Sequence, residues 1–235
     1  MTKEAISIKA KVKEPYHNSA GVRLPRVTTI CNLLDKSKYL VPWAYNCGLE
    51  KIDYAKLRDD LADVGTLAHE YVVSMLRGLR DGTIYEVDTY EYTQFQIERA
   101  KRSFDSGLAW IQKHSIDPVF TELKVISEIH QFGGRMDLLG PVDGLFTLAD
   151  FKTSKWAFDN YFLQLAGYDI ALEEHEEFLK LDQRIEQFMI VNLPRAPGDQ
   201  FQVQVRRNLD LRREEFLHFR AIYEIEKKLA RKKSF

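Results

Sequence analysis

The first half of the chain carries apolar residues at three- and four-residue steps, which is the spacing of an amphipathic helix. The pattern predicts helices over about 28–35, 42–50, 54–80 and 89–114. The polar stretch 17–26 is predicted to be a connecting loop. We therefore expect residues 1–115 to be mainly helical.

From about residue 116 apolar and polar residues alternate, which is typical of strands because successive side chains point to opposite faces. The pattern predicts strands over 119–129, 133–152 (two strands), 184–193 and 200–207, and helices over about 159–178 and 212–228. A chain of 235 residues fits one domain. We predict an α/β fold in a single domain, 1–235, with its sheet and helix at 116–207 and a C-terminal helix at 208–235.

The segment from Gly133 to Lys152 is predicted to be a β-hairpin that brings two acids and a lysine together. Asp137 lies on its first strand, whereas Asp150 and Lys152 lie on the second and point to the same side. The turn is placed at 140–144, which contains Gly, Pro and Asp. Charged groups in such an apolar strand are costly to bury unpaired. A divalent cation between the acids would offset their negative charge, because Mg²⁺ prefers carboxylate oxygens. Such a site can hold a water for attack on phosphorus and neutralise charge on the phosphate.

An acid two residues before a lysine is weak evidence alone, and the sequence has three such triplets: Glu122–Lys124, Asp150–Lys152 and Glu226–Lys228. Most triplets of this kind are solvated surface. Only Asp150–Lys152 combines a surrounding apolar strand, an acid one hairpin upstream and a polar helix downstream.

Four motifs occur in order along the chain: Gly65-Thr-Leu-Ala-His69, Gly134-Arg-Met-Asp137, Asp150-Phe-Lys152 and Gln164-Leu-Ala-Gly-Tyr168. In order and rough spacing they resemble the PD-(D/E)xK nuclease superfamily, in particular the branch of the RecB nuclease domain, Cas4-like nucleases and phage exonucleases. Segments 25–30 and 41–44 also resemble phage members of that branch. The motifs span about 60–170, and with these segments the resemblance covers about two thirds of the chain.

The resemblance implies a restriction-endonuclease-like core, with a central mixed β-sheet flanked by helices and an N-terminal helical elaboration. It also implies that His69, Asp137, Asp150 and the backbone carbonyl of Phe151 hold a metal ion. Glu122 is a further candidate, equally open to being an exposed strand residue. Mg²⁺ or Mn²⁺ suits this mostly oxygen set, and the histidine favours Mn²⁺ as an alternative to Mg²⁺.

The remaining implied roles belong to polar residues around the acids. Lys152 would position or deprotonate the attacking water and stabilise charge on the phosphate. Gln164 and Tyr168 are four residues apart and share a helix face. By resemblance, Gln164 lies near Lys152 or the attacking water, and Tyr168 lies near a DNA phosphate. Arg135 and Lys155 flank the site and are expected to contact the DNA backbone.

Composition restricts the cofactors and partners. The net charge of −1 excludes binding to polyanions by bulk charge, so DNA contacts are expected in a local groove. Two cysteines, Cys31 and Cys47, cannot form a disulfide framework, which favours a cytoplasmic location. Cas4-like proteins hold an iron–sulfur cluster with four cysteines, so we expect no cluster here. No stretch approaches the ~20 apolar residues of a membrane span.

The N-terminal residues 4–13 alternate and predict a short edge strand or extended arm. Lys9, Lys11 and Lys13 would then share one face. Lysines commonly protect an exposed strand edge, and a DNA-contact strip is the alternative.

The resemblance predicts a metal-dependent DNA exonuclease of bacterial or phage recombination, repair or DNA processing. A structure- or site-specific endonuclease is the nearest alternative, and a non-catalytic DNA-binding subunit on a nuclease fold is a second. A recombination annealing protein or a helicase is a candidate partner. The chain has no G-x-x-x-x-G-K loop, so any motor would be a separate chain.

Overall fold

The computed structural model describes residues 5–8, 14–34, 37–196 and 198–232. Of the predicted N-terminal strand, only Ile6–Ile8 (β1) is seen, paired in parallel with Tyr85–Val87 (β4). Lys9, Lys11 and Lys13 lie outside the described residues. None of the helices in the described ranges is both long enough and apolar enough to cross a membrane.

The centre of the molecule is a five-stranded mixed sheet in the order β5-β6-β7-β8-β9. Its strands are Phe120–Ser127 (β5), Phe132–Val142 (β6), Leu145–Lys152 (β7), Gln187–Asn192 (β8) and Gln202–Arg206 (β9). Strands β7 and β8 are parallel, and the other neighbouring pairs are antiparallel. Every strand predicted after residue 115 is present within a few residues of its expected bounds.

The hairpin turn between β6 and β7 is tighter than the predicted 140–144. Strand β6 continues to Val142, which pairs with Leu145, so the turn consists of Asp143 and Gly144 alone. Both have positive φ, 51° and 81°, which is the conformation that two-residue hairpin turns require and that Asp-Gly favours. The extra paired residues set the register that places the acids.

Seven helices are present in the described residues: Val27–Cys31 (α1), Ser37–Leu49 (α2), Tyr54–Asp81 (α3), Gln94–Lys113 (α4), Tyr161–Leu172 (α5), Glu176–Leu179 (α6) and Asp210–Lys232 (α7). Helix α4 begins later than predicted, because Thr93 and Gln96 form a capping box. The predicted helix 159–178 is split. Glu174, between α5 and α6, turns away to accept hydrogen bonds from Ser127 and the two residues after it.

The predicted loop 17–26 contains part of a small hairpin instead. Tyr16–His17 (β2) pairs with Arg23–Leu24 (β3) in an antiparallel ladder. These strands are too short to show alternation, so the pattern could not predict them.

Helices cover both faces of the sheet. On one face, α1, α5 and α7 place Val27, Phe162 and Phe216 against buried sheet residues such as Met136 and Leu148. On the other face, α3 and α4 pack on the sheet through a second set of buried residues that includes Val72, Leu76, Trp110, Leu138 and Phe151. This arrangement confirms the predicted restriction-endonuclease-like α/β fold with a mixed sheet flanked by helices.

Candidate active site

Strand β6 separates from β7 at the position of the two acids. The last ladder pair is Leu138 with Ala149, and the next step in the same register would pair Asp137 with Asp150. Instead, the backbone N–H of Phe151 donates to Asp137 Oδ2 at 2.9 Å. A buried backbone N–H requires a partner. Because the ladder between β6 and β7 has ended here, the Asp137 carboxylate accepts this hydrogen bond in place of a backbone carbonyl.

Glu122 lies opposite Asp137 on β5, at a position where that ladder is also interrupted. Thr121 pairs with Leu138 and Leu123 with Met136, but no pair forms between them. Glu122 has φ +56°, a left-handed conformation that is unusual for a non-glycine strand residue. Its side chain is only 4% exposed and lies close to the imidazole ring of His69 on helix α3. The backbone irregularity therefore coincides with the site.

His69 completes a compact group with these two acids. Its Nε2 atom lies 2.8 Å from Asp137 Oδ1 and 3.4 Å from Glu122 Oε1. One turn earlier, Gly65 faces Thr153, and a Cβ at Gly65 would lie 2.7 Å from the Thr153 hydroxyl oxygen. The glycine thus lets α3 approach the end of β7 closely enough to deliver His69.

The second acid, Asp150, is held by a separate set of contacts. Lys152 Nζ lies 2.5 Å from Asp150 Oδ2, and Gln164 Nε2 donates to Asp150 Oδ1 at 2.9 Å. Lys152 Nζ also donates to Gln164 Oε1 at 2.9 Å, and Gln164 Nε2 lies 2.7 Å from the Tyr168 hydroxyl oxygen. The polar side chains of β7 and α5 form one connected network, as expected for buried groups.

Burial and neighbouring charges shift the pKa values of this network. Burial raises the pKa of Asp150, which is 1% exposed, to about 6; Lys152 opposes that rise and Asp137 adds to it. Burial alone would lower the pKa of Lys152, but the carboxylates of Asp150 and Asp137 outweigh it, so the pKa is raised and the ammonium is retained. Burial, followed by the same two carboxylates, raises the pKa of Tyr168 well above its ordinary value.

Tyr168 is 3% exposed, and its ring packs against Gly134 of strand β6. A Cβ at Gly134 would lie 2.9 Å from Tyr168 Cδ1 and 3.0 Å from a methyl group of Val27. The glycine of the Gly134–Asp137 motif therefore makes room for the tyrosine ring. In this conformation the Tyr168 hydroxyl contacts Gln164, and its predicted contact with DNA stays a prediction.

The two basic residues predicted to bind DNA occupy different surroundings. Arg135 lies between two acids, with its guanidinium 3.5 Å from Glu122 Oε2 and 3.8 Å from Glu14 Oε2. Lys155 is exposed after β7, and its Nζ lies 5.9 Å from the centre of the Trp156 ring. Their roles in binding remain predictions.

The residues present fit a divalent cation. One ligand atom from each of His69, Glu122 and Asp137 lies within 4.8 Å of the other two. A single ion with bonds of about 2.0–2.6 Å can bridge such a separation. Two carboxylates and one imidazole form a mostly hard donor set. The largely buried carboxylates of Glu122, Asp137 and Asp150 also outnumber the two fixed cations beside them, Lys152 and Arg135, so a bound cation would balance the remaining negative charge.

The sequence left open whether Glu122 belongs to the site or is an exposed strand residue. The signal that favours it is its place in the β5–β6 register, directly opposite Asp137, and that register becomes visible only once both strands and their turn are known. Asp150 lies beside the compact group, with its carboxylate oriented by Lys152 and Gln164.

A sequence model of the PD-(D/E)XK nuclease superfamily matches residues 43–233. Comparison with curated protein sequences gives no match. Seventeen chains of solved structures match. One is described as the crystal structure of LHK-Exo in complex with dAMP, at 16% identity and a TM-score of 0.39, covering 74% of this chain and 90% of that chain.

Proposed function

Since the chain belongs to the PD-(D/E)XK nuclease superfamily, whose members hydrolyse phosphodiester bonds with divalent metals, we propose that it is a Mg²⁺- or Mn²⁺-dependent deoxyribonuclease that degrades DNA from its ends. The predicted superfamily is confirmed, whereas the RecB/Cas4-like branch stays a prediction. One observation carries the proposal. The His69, Glu122 and Asp137 ligand atoms lie within 4.8 Å of one another, and Asp137 accepts a hydrogen bond from the N–H of Phe151, the residue between Asp150 and Lys152.

In this proposal His69, Glu122, Asp137 and Asp150 hold the ion, with the Phe151 carbonyl as a further ligand. The Phe151 N–H points to Asp137, and in an extended strand the N–H and C=O of one residue point to the same side. That geometry supports the carbonyl as a ligand. When bound, the ion supplies neutralising charge for the phosphate and lowers the pKa of a bound water.

Lys152 acts as a fixed cation at the scissile phosphate. Its raised pKa keeps the ammonium charged, so it stabilises negative charge that develops on the phosphate oxygens. Gln164 holds both Lys152 and Asp150 in place through its amide oxygen and nitrogen. Tyr168 orients that amide from one helical turn away. These side chains position the reacting groups before the substrate binds.

The experiment that tests the proposal is cleavage of linear DNA by the purified protein with Mg²⁺, with Mn²⁺ and with a chelator. We expect cleavage only with metal. Asp137→Asn and Asp150→Asn should each lower the rate by about 10²-fold or more, because each removes a charged oxygen next to the phosphate.

A matched control is available on the same hairpin. Asp143 lies in the exposed turn with a positive φ that asparagine tolerates, so Asp143→Asn makes the same chemical change away from the site. This variant should cleave like the wild type. Equal activity of Asp137→Asn, Asp150→Asn and the control would refute the proposed site.

End dependence requires a second substrate. A covalently closed circular DNA offers no ends, so an exonuclease leaves it intact while it degrades the same molecule after linearisation. Equal rates on the two forms would favour a structure- or site-specific endonuclease instead.

A further inference from the structure

A row of aromatic rings leads from the surface to the network of Asp150 and Lys152. Tyr39 of α2 packs on Phe158, with ring centres 5.1 Å apart, and Phe158 packs on Tyr161 at 5.7 Å. Lys152 Nζ lies 5.4 Å from the centre of the Tyr161 ring. We call Tyr39, Trp156, Phe158 and Tyr161 the aromatic surface.

The outer members of the aromatic surface are open to solvent. Tyr39 is 49% exposed and Trp156 is 47% exposed. Exposed rings near a phosphate site offer flat faces on which an unpaired base can stack. Lys155 Nζ lies over the Trp156 ring at 5.9 Å and adds a positive charge at the same place.

The loop that presents Trp156 and Phe158 is held in place by buried polar contacts. The amide of Asn192 accepts from the Ser154 N–H and donates to the Ser154 carbonyl. The backbone of Ala157 is held on both sides, by Gln202 at its N–H and by Gln204 at its carbonyl. An anchored loop loses little conformational entropy when a ligand binds to it.

We propose that the aromatic surface binds the unpaired bases of a single DNA strand, stacking them on Trp156 and Tyr39 while the backbone passes Lys155 towards Lys152. This inference rests on the proposed function and adds the substrate class, single-stranded DNA or an unpaired end. Aromatic rings interleaved with cations along a path to a phosphate site are the arrangement that binds unpaired nucleotides without sequence preference.

The ring contacts distinguish a single strand from an intact duplex. The net charge of −1 does not, because both forms of DNA carry a phosphate backbone. Stacking needs the face of a base, and a duplex exposes such faces only at its terminal pair. Ring contacts therefore favour an unpaired strand or an unpaired end over an intact duplex.

The test compares three DNA substrates of equal length: a single strand, the same strand with abasic sites throughout, and a blunt duplex. Binding is measured in chelator by fluorescence anisotropy, and cleavage is measured with Mn²⁺. Trp156→Ala and Tyr39→Ala should each weaken binding of the base-containing strand about tenfold, since one stacked base contributes that order of affinity. Binding of the abasic strand and the duplex should change less than about twofold by the same reasoning.

Two control variants separate stacking from other effects. Trp156→Phe retains an aromatic face and should restore most of the lost affinity. Tyr90→Ala removes a ring that is exposed but lies in the turn before α4, outside the aromatic surface, and should bind like the wild type.

Failure of this inference can be told from failure of the proposed function. If the wild type cleaves DNA but Trp156→Ala and Tyr39→Ala bind the base-containing strand normally, the aromatic surface does not bind bases. Equal loss on all three substrates would also overturn stacking. If the wild type cleaves nothing, yet Trp156→Ala and Tyr39→Ala lose affinity for the base-containing strand alone in chelator, the inference stands and the nuclease proposal fails.

Discussion

Glu122 is the residue whose position depends most directly on an unusual backbone conformation. A left-handed conformation costs roughly 1–2 kcal/mol for a residue with a side chain, and here it occurs in the middle of a strand. The conformation accompanies a buried carboxylate beside His69 and opposite Asp137. Strain of this kind often accumulates at functional sites, which supports Glu122 as a metal ligand.

Glu122→Gln tests that role without relying on cleavage. The substitution preserves shape but removes a charge from the metal group, so Mn²⁺ affinity should fall by at least about tenfold. A bound ion stabilises the folded state by RT ln(1 + c/Kd), where c is the Mn²⁺ concentration, so a tighter site gives a larger stabilisation at the same Mn²⁺ concentration. The midpoint of thermal unfolding should therefore rise with Mn²⁺ in the wild type and much less in the variant. An equal rise in both proteins would exclude Glu122 from the metal group.

The raised pKa of Asp150 predicts a pH effect on the metal-free protein. Its pKa of about 6 lies above the ordinary 3.8, so the folded state binds more protons than the unfolded state between these values. The contribution of Asp150 to stability therefore falls as pH rises from about 4 to 6. Asp150→Asn has no such dependence, so the variant should gain stability relative to the wild type over this range. Denaturant unfolding in chelator at pH 4, 5, 6 and 7 measures the difference, and a constant difference would contradict the shift.

The sequence alone could predict the two acids on the hairpin as site residues, but it could not show whether Glu122 belongs to the same site. Asp137 and Asp150 follow from strand alternation and a turn rich in Gly and Asp, both local properties. Glu122 depends on a cross-strand register and on a backbone conformation that neither propensity nor alternation predicts. The DNA contacts predicted for Arg135 and Tyr168 stay predictions, because in the structure Arg135 faces Glu122 on β5 and the Tyr168 hydroxyl contacts Gln164 on its own helix.

At the scale of elements, strand β6 and helix α5 fit together because one residue lacks a side chain. Gly134 faces the Tyr168 ring so closely that any Cβ would overlap it. The sequence shows that Gly134 belongs to the Gly134–Asp137 motif. The need for a glycine at this position is visible only from the packing of α5 against the sheet.

Gly134→Ala should therefore destabilise the protein by about 1–3 kcal/mol, the usual cost of overpacking a core. Gly48→Ala in α2 is the matched control, because nothing lies within 4 Å of its added Cβ and alanine favours a helix. Urea unfolding of both variants measures the effect. Equal stability of the two variants would show that α5 does not pack on β6 as described.

At the scale of the whole molecule, one sheet is shared by two cores. Leu148 faces the core with α5 and α7, and the next residue, Ala149, faces the core with α3 and α4. Loss of either layer of helices would expose apolar sheet residues, which supports the prediction of a single domain over 1–235.

The single domain predicted over 1–235 should consequently unfold in one transition. The ring centre of Trp110 in α4 lies 6.1 Å from that of Phe151 in β7, so in a variant with Trp43→Phe and Trp156→Phe its fluorescence reports on the contact between α4 and the sheet. Tryptophan fluorescence and far-ultraviolet circular dichroism should give coincident urea transitions. An earlier loss of fluorescence than of ellipticity would indicate that the helical half unfolds on its own.

The most direct test of the account is the location of Mn²⁺ in crystals grown with the ion. The anomalous difference map should place its strongest peak within about 2.5 Å of His69 Nε2 and of a carboxylate oxygen of Asp137, as bond lengths to a divalent metal require. A peak at another surface, with no peak between these two residues at saturating Mn²⁺, would contradict the proposed metal site and the reaction that depends on it.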